Sequence, residues 1–388
     1  MSQLTVRMTA LAIVLLVLAP LLESQTRVRT PVRIPDIPGY VTLKCDFHTH
    51  TVFSDGSVWP NIRAEEAWRE GLDAIAITDH LEYLPHQADL PPNSDRYYDR
   101  SFEIASPHGQ ALNLLVIRGS EVTRQMPPGH INAIFLETAN PLKTEDWRDA
   151  IRTAHSQGAF IFWNHPGWVG QQPDGVARWY PEHTELVEAE MLHGIEVANS
   201  REYYPEAHQW CLEKGLTMLA NSDIHYPLNL DYHVHEGDHR PLTLVFATER
   251  TPSAIKDALF DRRTAVYTGN ILIGERQFLN PLFEESIDFL SSTTRIEGTG
   301  TGYIQIHNKS DVDFELSGEF SFEEIRVPNQ MVLKAGRTSL LPIRGTSRER
   351  KGSQSFKLTY TVSNLKVAPD ESLTVELPVT VEFVPPGQ

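Results

Sequence analysis

The 388-residue sequence is poor in cysteine and in positive charge. Its two cysteines exclude a scaffold that is held together by several disulfides. Only 34 lysines and arginines stand against 51 aspartates and glutamates, so the formal net charge is −17. Because nucleic-acid binding draws most of its affinity from basic side chains, this charge argues against DNA or RNA as a partner. The hydrophobic share of 40% and the charged share of 22% also exclude a largely disordered chain and a polytopic membrane protein.

What the sequence does contain is an unusual number of metal-binding side chains. Sixteen histidines accompany the carboxylates, and these two residue types are common ligands of divalent metals. At roughly 150 residues per domain, the length predicts two or three domains. The spacing of the histidines along those domains is therefore the feature to examine.

An apolar run close to the N-terminus predicts export. Arg7 is followed by an uncharged stretch over residues 8–22 and then by a polar end at Ser24. This order is typical of a secretory signal peptide, and the stretch is shorter than the roughly 20 residues of a membrane helix. We expect a signal peptide over residues 1–25, a proline-rich linker over residues 26–40, and a periplasmic or secreted mature chain without a membrane span. In that compartment Cys45 and Cys211 have the chance to pair, although two unpaired buried thiols are the simpler expectation.

The pattern of apolar runs divides the rest of the chain into two parts. Over residues 41–275 short apolar runs alternate with helical stretches, which is typical of parallel strands with crossover helices. The runs cover residues 41–47, 74–78, 112–117, 159–163, 194–198, 216–220 and 242–247. The run after His130 is an exception, because only eight residues separate it from Glu121, too few for a parallel crossover. We expect that run to return antiparallel. Residues 276–388 contain strand-like alternation without a convincing long helix and predict an antiparallel β-sandwich.

Polar side chains follow the apolar runs of the first part, where α/β folds place their active sites. Asp46, His48 and His50 alternate along the end of the first run, so they face the same side of a strand. A single pair of alternating histidines is weak evidence, since about one such pair is expected by chance among 16 histidines. Its repetition at later run ends is stronger evidence, as in Thr78-Asp79-His80 and Asn221-Ser222-Asp223-Ile224-His225.

In their order and spacing these residues resemble the PHP superfamily, named after polymerase and histidinol phosphatase. The resemblance covers about residues 42–269 and implies a distorted (β/α)7 TIM-like barrel with a polynuclear metal site. Nine positions of the family's metal motifs fall on residues able to bind metal: His48, His50, Asp55, His80, Glu121, His130, His165, Asp223 and His225. Asp55 stands where some members have histidine, which affects the expected occupancy of the third metal.

The resemblance also implies how the nine side chains are divided among three metals. The first set is His48, His50, Glu121 and Asp223; the second is Glu121, His130 and His165; the third is Asp55, His80 and His225. Six imidazoles and three carboxylates suit Mn, Fe or Zn better than Ca or Mg, so we expect two or three such divalent ions. No cysteine lies among them, which argues against a closed structural zinc site. Glu121 and Asp223 are expected to act in catalysis by holding metals around a bridging hydroxide that attacks phosphorus.

Further residues near the run ends are candidates for supporting roles. Asp46, Asp79 and Glu196 are each placed to accept the free ring N–H of a metal-binding histidine or to orient a water. Arg124 and Arg201 lie in rim loops and are candidates for binding a substrate phosphate, with a solvated surface arginine as the alternative for each. Aromatic residues near the same ends are candidates for an apolar pocket, with ordinary packing as the alternative: Trp163, Trp168, Tyr203, Tyr204 and Tyr226.

The function that these observations favour is an exported, metal-dependent phosphoesterase acting on a small phosphate ester. A phosphodiester is preferred over a monoester, because cationic side chains are few and because the layout resembles secreted PHP phosphodiesterases with an added β domain. The alternatives are a PHP phosphomonoesterase of the nucleotide or histidinol-phosphate type and a non-catalytic exported binding protein. The binding-protein hypothesis predicts that metal-binding positions are lost, yet all nine are present.

Overall fold

The structure is a computed structural model that describes residues 28–90 and 97–387. The predicted signal peptide lies outside the described residues. Residues 28–40 contain no helix or strand, and one isolated bridge joins Ile37 and Tyr40. No helix within the described ranges is long and apolar enough to cross a membrane.

The first part of the chain alternates strands and helices. Its strands are β1 (Val41–Asp46), β2 (Ala74–Ile77), β3 (Leu115–Val122), β4 (Ile131–Ile134), β5 (Phe160–Trp163), β6 (Gly194–Asn199), β7 (Glu202–Tyr203), β8 (Thr217–Asn221), β9 (Leu242–Ala247), β10 (Thr264–Thr268) and β11 (Ile271–Gly274). Its helices are α1 (Pro60–Arg69), α2 (Arg100–Ala111), α3 (Trp147–Ser156), α4 (Pro181–Glu188), α5 (Pro205–Lys214), α6 (Leu228–Asp231), α7 (Pro252–Phe260) and α8 (Arg276–Ser286).

The sheet of this part mixes parallel and antiparallel pairs. β1, β2 and β3 are parallel, and so are β5, β6 and β8. Between these groups, β4 runs antiparallel to both β3 and β5, which confirms the prediction for the run after His130. β9 pairs with β1 in antiparallel orientation, so the prediction of a parallel strand there was wrong. The chain between β8 and β9 contains only short helical turns and does not cross to the other end of the sheet before β9 begins.

Threonine side chains connect β8 to β9 and β10 where no backbone ladder is formed. The backbone N–H of Ala220 donates to Thr243 Oγ1 over 3.0 Å, and the same hydroxyl donates to the Ala220 carbonyl over 2.9 Å. Thr264 Oγ1 donates to the Met218 carbonyl over 2.9 Å. These bonds hold β8 beside β9 and β10, and therefore beside β1, so that the side chains following β1 and β8 meet at one rim.

The second part of the chain is a β-sandwich. Its strands are β12 (Ile287–Ser291), β13 (Thr293–Glu297), β14 (Thr301–Asn308), β15 (Phe314–Ser317), β16 (Ile325–Arg326), β17 (Gln330–Leu333), β18 (Thr338–Gly345), β19 (Gly352–Ala368) and β20 (Glu371–Val384). One sheet has the order β12-β14-β18-β16, and the other contains β13, β20, β19, β15 and β17. The pairs are antiparallel with one exception inside the sandwich, because β13 switches sheets directly after β12 and runs parallel to β20.

The two parts share a sheet and a hydrophobic core. β11 pairs in parallel with β19, with Leu272 opposite Leu365. Helix α8, which the sequence pattern did not predict, begins directly after the expected boundary between residues 275 and 276 and packs on both parts. Its Phe278 ring lies 5.1 Å from the Phe246 ring of β9, and its Phe283 ring lies 5.0 Å from the Phe314 ring of β15. One contiguous cluster of buried apolar side chains therefore runs through both parts.

The two cysteines are buried and unpaired, in agreement with the simpler expectation. Cys45 lies on β1 and Cys211 on α5. Burial raises the pKa of the Cys45 thiol well above its ordinary value, and the Asp73 carboxylate adds to this effect. Both thiols are therefore packing groups of the core.

Candidate metal centre

Nine side chains meet where strands of the first part end or begin at one rim. His48 and His50 follow β1, His80 follows β2, Glu121 lies near the end of β3, and His130 directly precedes β4. The set is completed by residues that follow β5 and β8: His165, Asp223 and His225. Together with Asp55, in the loop after β1, these residues form four overlapping groups whose ligand atoms lie within 4.8 Å of one another.

The Glu121 carboxylate stands between two of these groups. One oxygen, Oε1, lies 2.8 Å from His130 Nδ1 and 3.8 Å from His165 Nε2. The other oxygen, Oε2, lies 3.4 Å from His50 Nε2 and 3.6 Å from His48 Nε2. Oε2 also lies 2.6 Å from His80 Nδ1. The two oxygens thus face different sets of imidazoles, which is the arrangement of a carboxylate shared between two cations.

Asp223 completes the group around the alternating histidines. Its Oδ1 lies 3.1 Å from His48 Nε2 and 3.0 Å from His50 Nε2, while these two nitrogens are 3.0 Å apart. The other oxygen, Oδ2, lies 3.8 Å from His165 Nε2. Asp223 therefore reaches both sides of the cluster, as Glu121 does.

Asp55 brings together the histidines of the third group. Its Oδ1 lies 3.1 Å from His225 Nε2, 3.3 Å from His80 Nε2 and 3.9 Å from His50 Nδ1. His80 is shared as well, because its Nδ1 lies 2.6 Å from Glu121 Oε2. Compared with the division implied by the resemblance, the structure adds His50 to the third group and places His80 beside Glu121.

The chemistry of the cluster fits bound cations. Among the described residues, Glu121 Oε2, Asp55 Oδ1 and His130 Nδ1 are buried atoms without a hydrogen bond of acceptable geometry, although ring nitrogens lie nearby. Buried polar groups normally form hydrogen bonds. Buried polar atoms that lie close together without hydrogen bonds between them are therefore arranged like ligands that share a cation. The donors are nitrogen and oxygen without sulfur, a set that suits divalent transition metals.

The charges in the cluster agree with this assignment. Burial by itself would raise the pKa of Glu121 and of Asp223, but the surrounding histidines hold both pKa values well below their usual range. Burial and the neighbouring rings of His225 and His80 lower the pKa of His50 to about 3. The carboxylates are therefore ionised, and the His50 ring is neutral with a lone pair available to a metal.

Glu196 supports two of the histidines from behind. Its Oε1 lies 2.9 Å from His48 Nδ1, and its Oε2 accepts from the backbone N–H of His165 over 2.7 Å. The amides of Asn221 and Asn199 donate to the same carboxylate over 3.0 and 2.8 Å. The role that was predicted for Glu196 thus matches its contacts.

Asp79 and Asp46 contact backbone, hydroxyl and guanidinium groups rather than imidazoles, so of the two roles expected for them the contact with a ring N–H is not made. Asp79 accepts from the Thr51 backbone over 2.7 Å and from Ser54 Oγ over 2.8 Å. Ser54 Oγ in turn lies 3.3 Å from His50 Nδ1. The position of Asp79 at a strand end can be read from the local sequence. The Ser54 hydroxyl that lies between Asp79 and the His50 ring is placed there by the fold of the loop after β1.

Replacing Glu196 by glutamine is expected to weaken metal binding by about 10- to 100-fold, because a glutamine keeps only one of the two acceptor oxygens that hold His48 and His165. Metal titration of the purified variant measures this, and circular dichroism verifies that the fold is retained. Glu185→Gln on the exposed face of α4 is the control and should bind metal like the parent chain. Equal metal affinity of the Glu196 variant and the parent would contradict the assigned role.

A buried ion cluster fixes the segment that carries Asp223. Arg240 is fully buried and donates to Asp46 over 2.8 Å and to Glu70 over 2.7 Å. Asp46 accepts from the backbone N–H of Ser222 over 3.1 Å. Asp223 itself has a φ of 54°, a left-handed conformation that is uncommon outside glycine and that persists only where the surroundings hold it.

Replacing Arg240 by methionine is expected to lower the free energy of unfolding by about 3–5 kcal/mol, because it leaves two buried carboxylates without their counter-charge. Chemical denaturation of the parent and the variant measures the difference. Arg178→Met is the matched control, since Arg178 pairs with Asp174 at the surface and such pairs contribute about 0–1 kcal/mol. A loss below about 1 kcal/mol for Arg240→Met would contradict the anchoring role.

Comparison with known proteins identifies the chain. It is 44% identical to a protein of Bacteroides vulgatus whose crystal structure is described as a two-domain protein containing a predicted PHP-like metal-dependent phosphoesterase. The match covers 90% of this chain and 99% of that chain, with a TM-score of 0.83. The chain belongs to the PHP-like metal-dependent phosphoesterases. The resemblance inferred from the spacing of the nine residues is thereby confirmed.

Two further comparisons concern the separate parts of this PHP-like chain. A family model described as an Ig-like domain matches residues 287–378, so the predicted C-terminal β domain is confirmed. An uncharacterised protein of Methanocaldococcus jannaschii is 25% identical over 206 residues, which cover 48% of this chain and 84% of that protein.

A cavity of about 200 Å³ opens onto the metal-binding cluster of this PHP-like chain. Besides cluster residues it is lined by three side chains: Tyr83, Thr123 and Trp168. Sequence reasoning found only Trp168. Tyr83 and Thr123 follow the predicted His80 and Glu121 by three and two residues, which is the signal that would have found them. Trp163, also predicted near this pocket, is instead buried against His183 at a ring distance of 3.7 Å.

The two predicted substrate-binding arginines lie outside the described lining of this cavity. Arg124 pairs with Glu82 over 2.9 Å and donates to the Thr144 carbonyl over 2.9 Å. Arg201 pairs with Asp238 over 2.6 Å and lies over the ring of Tyr232. Their placement therefore provides no support for the predicted contact with a phosphate.

Proposed function

We propose that this PHP-like phosphoesterase hydrolyses small phosphodiesters. The observation that carries the proposal is the composition of the cavity at the metal-binding cluster: among the described residues, no lysine or arginine lines it. A monoester carries up to two negative charges and a diester only one, so a site without cationic side chains fits the diester better. The volume of about 200 Å³ fits a small ester.

The cluster fits two or three divalent ions, with Mn, Fe or Zn as the proposed metals, since its donors are imidazoles and carboxylates. Such ions supply Lewis acidity and lower the pKa of a coordinated water towards neutrality. Glu121 and Asp223 position the two sides of the site, because each uses one oxygen towards His48 and His50 and the other towards His165. The negative charge of these carboxylates also offsets the positive charge of the ions.

The neutral side chains of the lining orient the ester. The hydroxyls of Thr123 and Tyr83 and the indole N–H of Trp168 are its hydrogen-bonding groups outside the cluster, and Thr123 Oγ1 is held 2.6 Å from His80 Nδ1. Trp168 lines one side of the cavity, and its ring lies 5.7 and 5.5 Å from the rings of His130 and His165.

The proposal is tested by measuring turnover of bis(p-nitrophenyl) phosphate and of p-nitrophenyl phosphate by the purified protein, with metal content measured in the same samples. Faster cleavage of the diester is the expected result. Faster cleavage of the monoester would contradict the preference and favour a phosphomonoesterase. Bound metal without turnover of either compound would overturn the phosphodiesterase proposal.

We also propose that the chain is exported to the periplasm or secreted. The proposal is supported by the order of charge, apolar stretch and polar end over residues 1–25. N-terminal sequencing of the protein recovered from cell fractions tests it. A mature protein in the exported fraction that begins near Ser24 is expected, and an uncut chain in the cytoplasm would contradict it.

A further inference from the structure

Two large aromatic side chains stand exposed at the mouth of the metal-binding cavity. The exposed fraction is 42% for Trp168 and 55% for Tyr83, and both line the cavity. The Trp168 ring lies beside His130 and His165, whereas the Tyr83 ring lies 6.1 Å from His80. They therefore approach the cluster from different strands, one after β5 and the other after β2.

Trp168 is exposed yet held in place. Its backbone N–H donates to the His165 carbonyl over 2.9 Å, and its own carbonyl accepts from Gln171 and Gln172 over 2.9 and 2.8 Å. The indole lies so close over Gly170 that a Cβ there would come within 2.5 Å of Trp168 Cζ2. Gly170 thus provides the space that the ring occupies. A rigid aromatic face that remains open to solvent is suited to bind a ligand with little loss of conformational entropy.

The backbone that carries Tyr83 is held as well. Tyr83 follows Leu81, which is fully buried, and Glu82, which accepts from the backbone N–H of Thr123 over 2.8 Å. This bond ties the segment after β2 to the segment after β3, and so fixes the backbone that carries Tyr83. Between the two rings the described lining offers cluster residues and Thr123, without a cationic side chain.

We propose that Trp168 and Tyr83 form an aromatic clamp that binds the ester substituent of the substrate. The clamp rests on the proposed phosphodiesterase function and narrows it to esters with a planar apolar substituent, such as an aryl group. When the phosphate oxygens lie at the cluster, the substituent on phosphorus points towards the mouth, where these two rings are the apolar surface. Aromatic contacts of this kind favour offset or edge-to-face packing over ring distances of 4.5–7 Å.

The test is calorimetric titration of the metal-loaded full chain with phenylphosphonate and with methylphosphonate, whose phosphorus–carbon bonds resist hydrolysis. The parent is expected to bind phenylphosphonate about tenfold more tightly, a preference that stacking on aromatic side chains can supply. Trp168→Ala and Tyr83→Ala are each expected to reduce this preference to about threefold or less with unchanged metal content, because the loss of affinity is larger for phenylphosphonate than for methylphosphonate. Val169→Ala, at an exposed neighbouring position, is the control and should keep the preference.

A second variant changes the clamp without removing a ring. Gly170→Ala forces the indole of Trp168 to move, so it is expected to reduce the preference for phenylphosphonate while the metal content stays constant. In turnover of bis(p-nitrophenyl) phosphate, Trp168→Ala should raise KM by a larger factor than it lowers kcat, because the contact with the substituent is made in the ground state as well as in the transition state.

The outcomes separate the clamp from the function on which it rests. Equal affinity of the parent for the two phosphonates, or an unchanged preference in both alanine variants, would overturn the clamp and leave the phosphodiesterase proposal standing. Absence of binding of both phosphonates together with absence of turnover would overturn the phosphodiesterase function, and the clamp with it.

Discussion

Glu121→Gln is expected to abolish hydrolysis and to remove most of the bound metal. The two Glu121 oxygens face different sets of imidazoles, so replacing one oxygen by an amide NH₂ group removes a donor atom and the shared negative charge together. An outer hydrogen-bond partner of a metal site typically contributes 10- to 100-fold, so we expect a loss of at least about 1,000-fold in kcat/KM for this inner position. Metal analysis and turnover of bis(p-nitrophenyl) phosphate measure the two effects on the same preparation.

Asp174→Asn is the matched control for this experiment. Asp174 is exposed and pairs with Arg178 outside the cluster, so its variant should retain both metal and activity. Removing metal from the parent with a chelator should reproduce the loss of activity expected for Glu121→Gln. Adding Mn, Fe or Zn should restore the activity of the chelated parent but not that of the Glu121→Gln variant. If Glu121→Gln retained the parent's metal content and activity, the assignment of this carboxylate as a shared ligand would be wrong.

Ending the chain at Ser286 is expected to prevent the first part from folding to a soluble, metal-binding state. Such a truncation removes β19 from beside β11 and uncovers the apolar face of α8. The buried cluster that continues from Phe246 through α8 to Phe314 would be open to water over its whole second half. Burial contributes about 25 cal/mol per Å² of apolar surface, so exposure on this scale exceeds the 5–15 kcal/mol by which domains are stable. Solubility, metal content and cooperative thermal unfolding are the measurements.

A point substitution in the full chain separates loss of the shared core from loss of the Ig-like domain as a whole. Phe283→Ala is expected to lower the free energy of unfolding by about 3–5 kcal/mol, because it leaves a cavity between α8 and β15. Leu290→Ala on β12 is the control, since Leu290 is exposed and should change stability by less than about 0.5 kcal/mol. A truncated chain that stayed soluble and bound metal like the parent would show that the two parts fold independently.

The sequence predicts the strands well and their directions less well. The apolar runs over residues 41–47, 74–78, 159–163 and 194–198 coincide with β1, β2, β5 and β6 to within one or two residues. The antiparallel return of β4 followed from loop length alone. The direction of β9 did not, since the long connection from β8 allows a crossover that the structure does not make. Loop length limits the possible pairings only when the loop is short.

The candidate site, like the fold, is predictable only in part. The nine metal-binding residues are predictable because each stands at or near a strand end, and strand ends are visible in the local pattern. The environment of the arginines is not predictable in this way: Arg124 finds Glu82 and Arg201 finds Asp238, partners that lie 42 and 37 residues away. A position in a rim loop places an arginine near the site. The carboxylate that lies nearest to the arginine then decides where the guanidinium points.

By itself, the sequence determined the strand-end positions of the histidines and carboxylates, the family that they resemble, and the change from alternating helix and strand to a β domain. The tertiary structure alone decided that Glu121 faces two groups of imidazoles, that Glu196 supports His48 from 148 residues away, and that α8 and β11 join the Ig-like domain to the first part. The physical reason is that periodicity reflects the conformation of neighbouring residues, whereas shared ligands and shared cores arise from packing between segments that are distant along the chain.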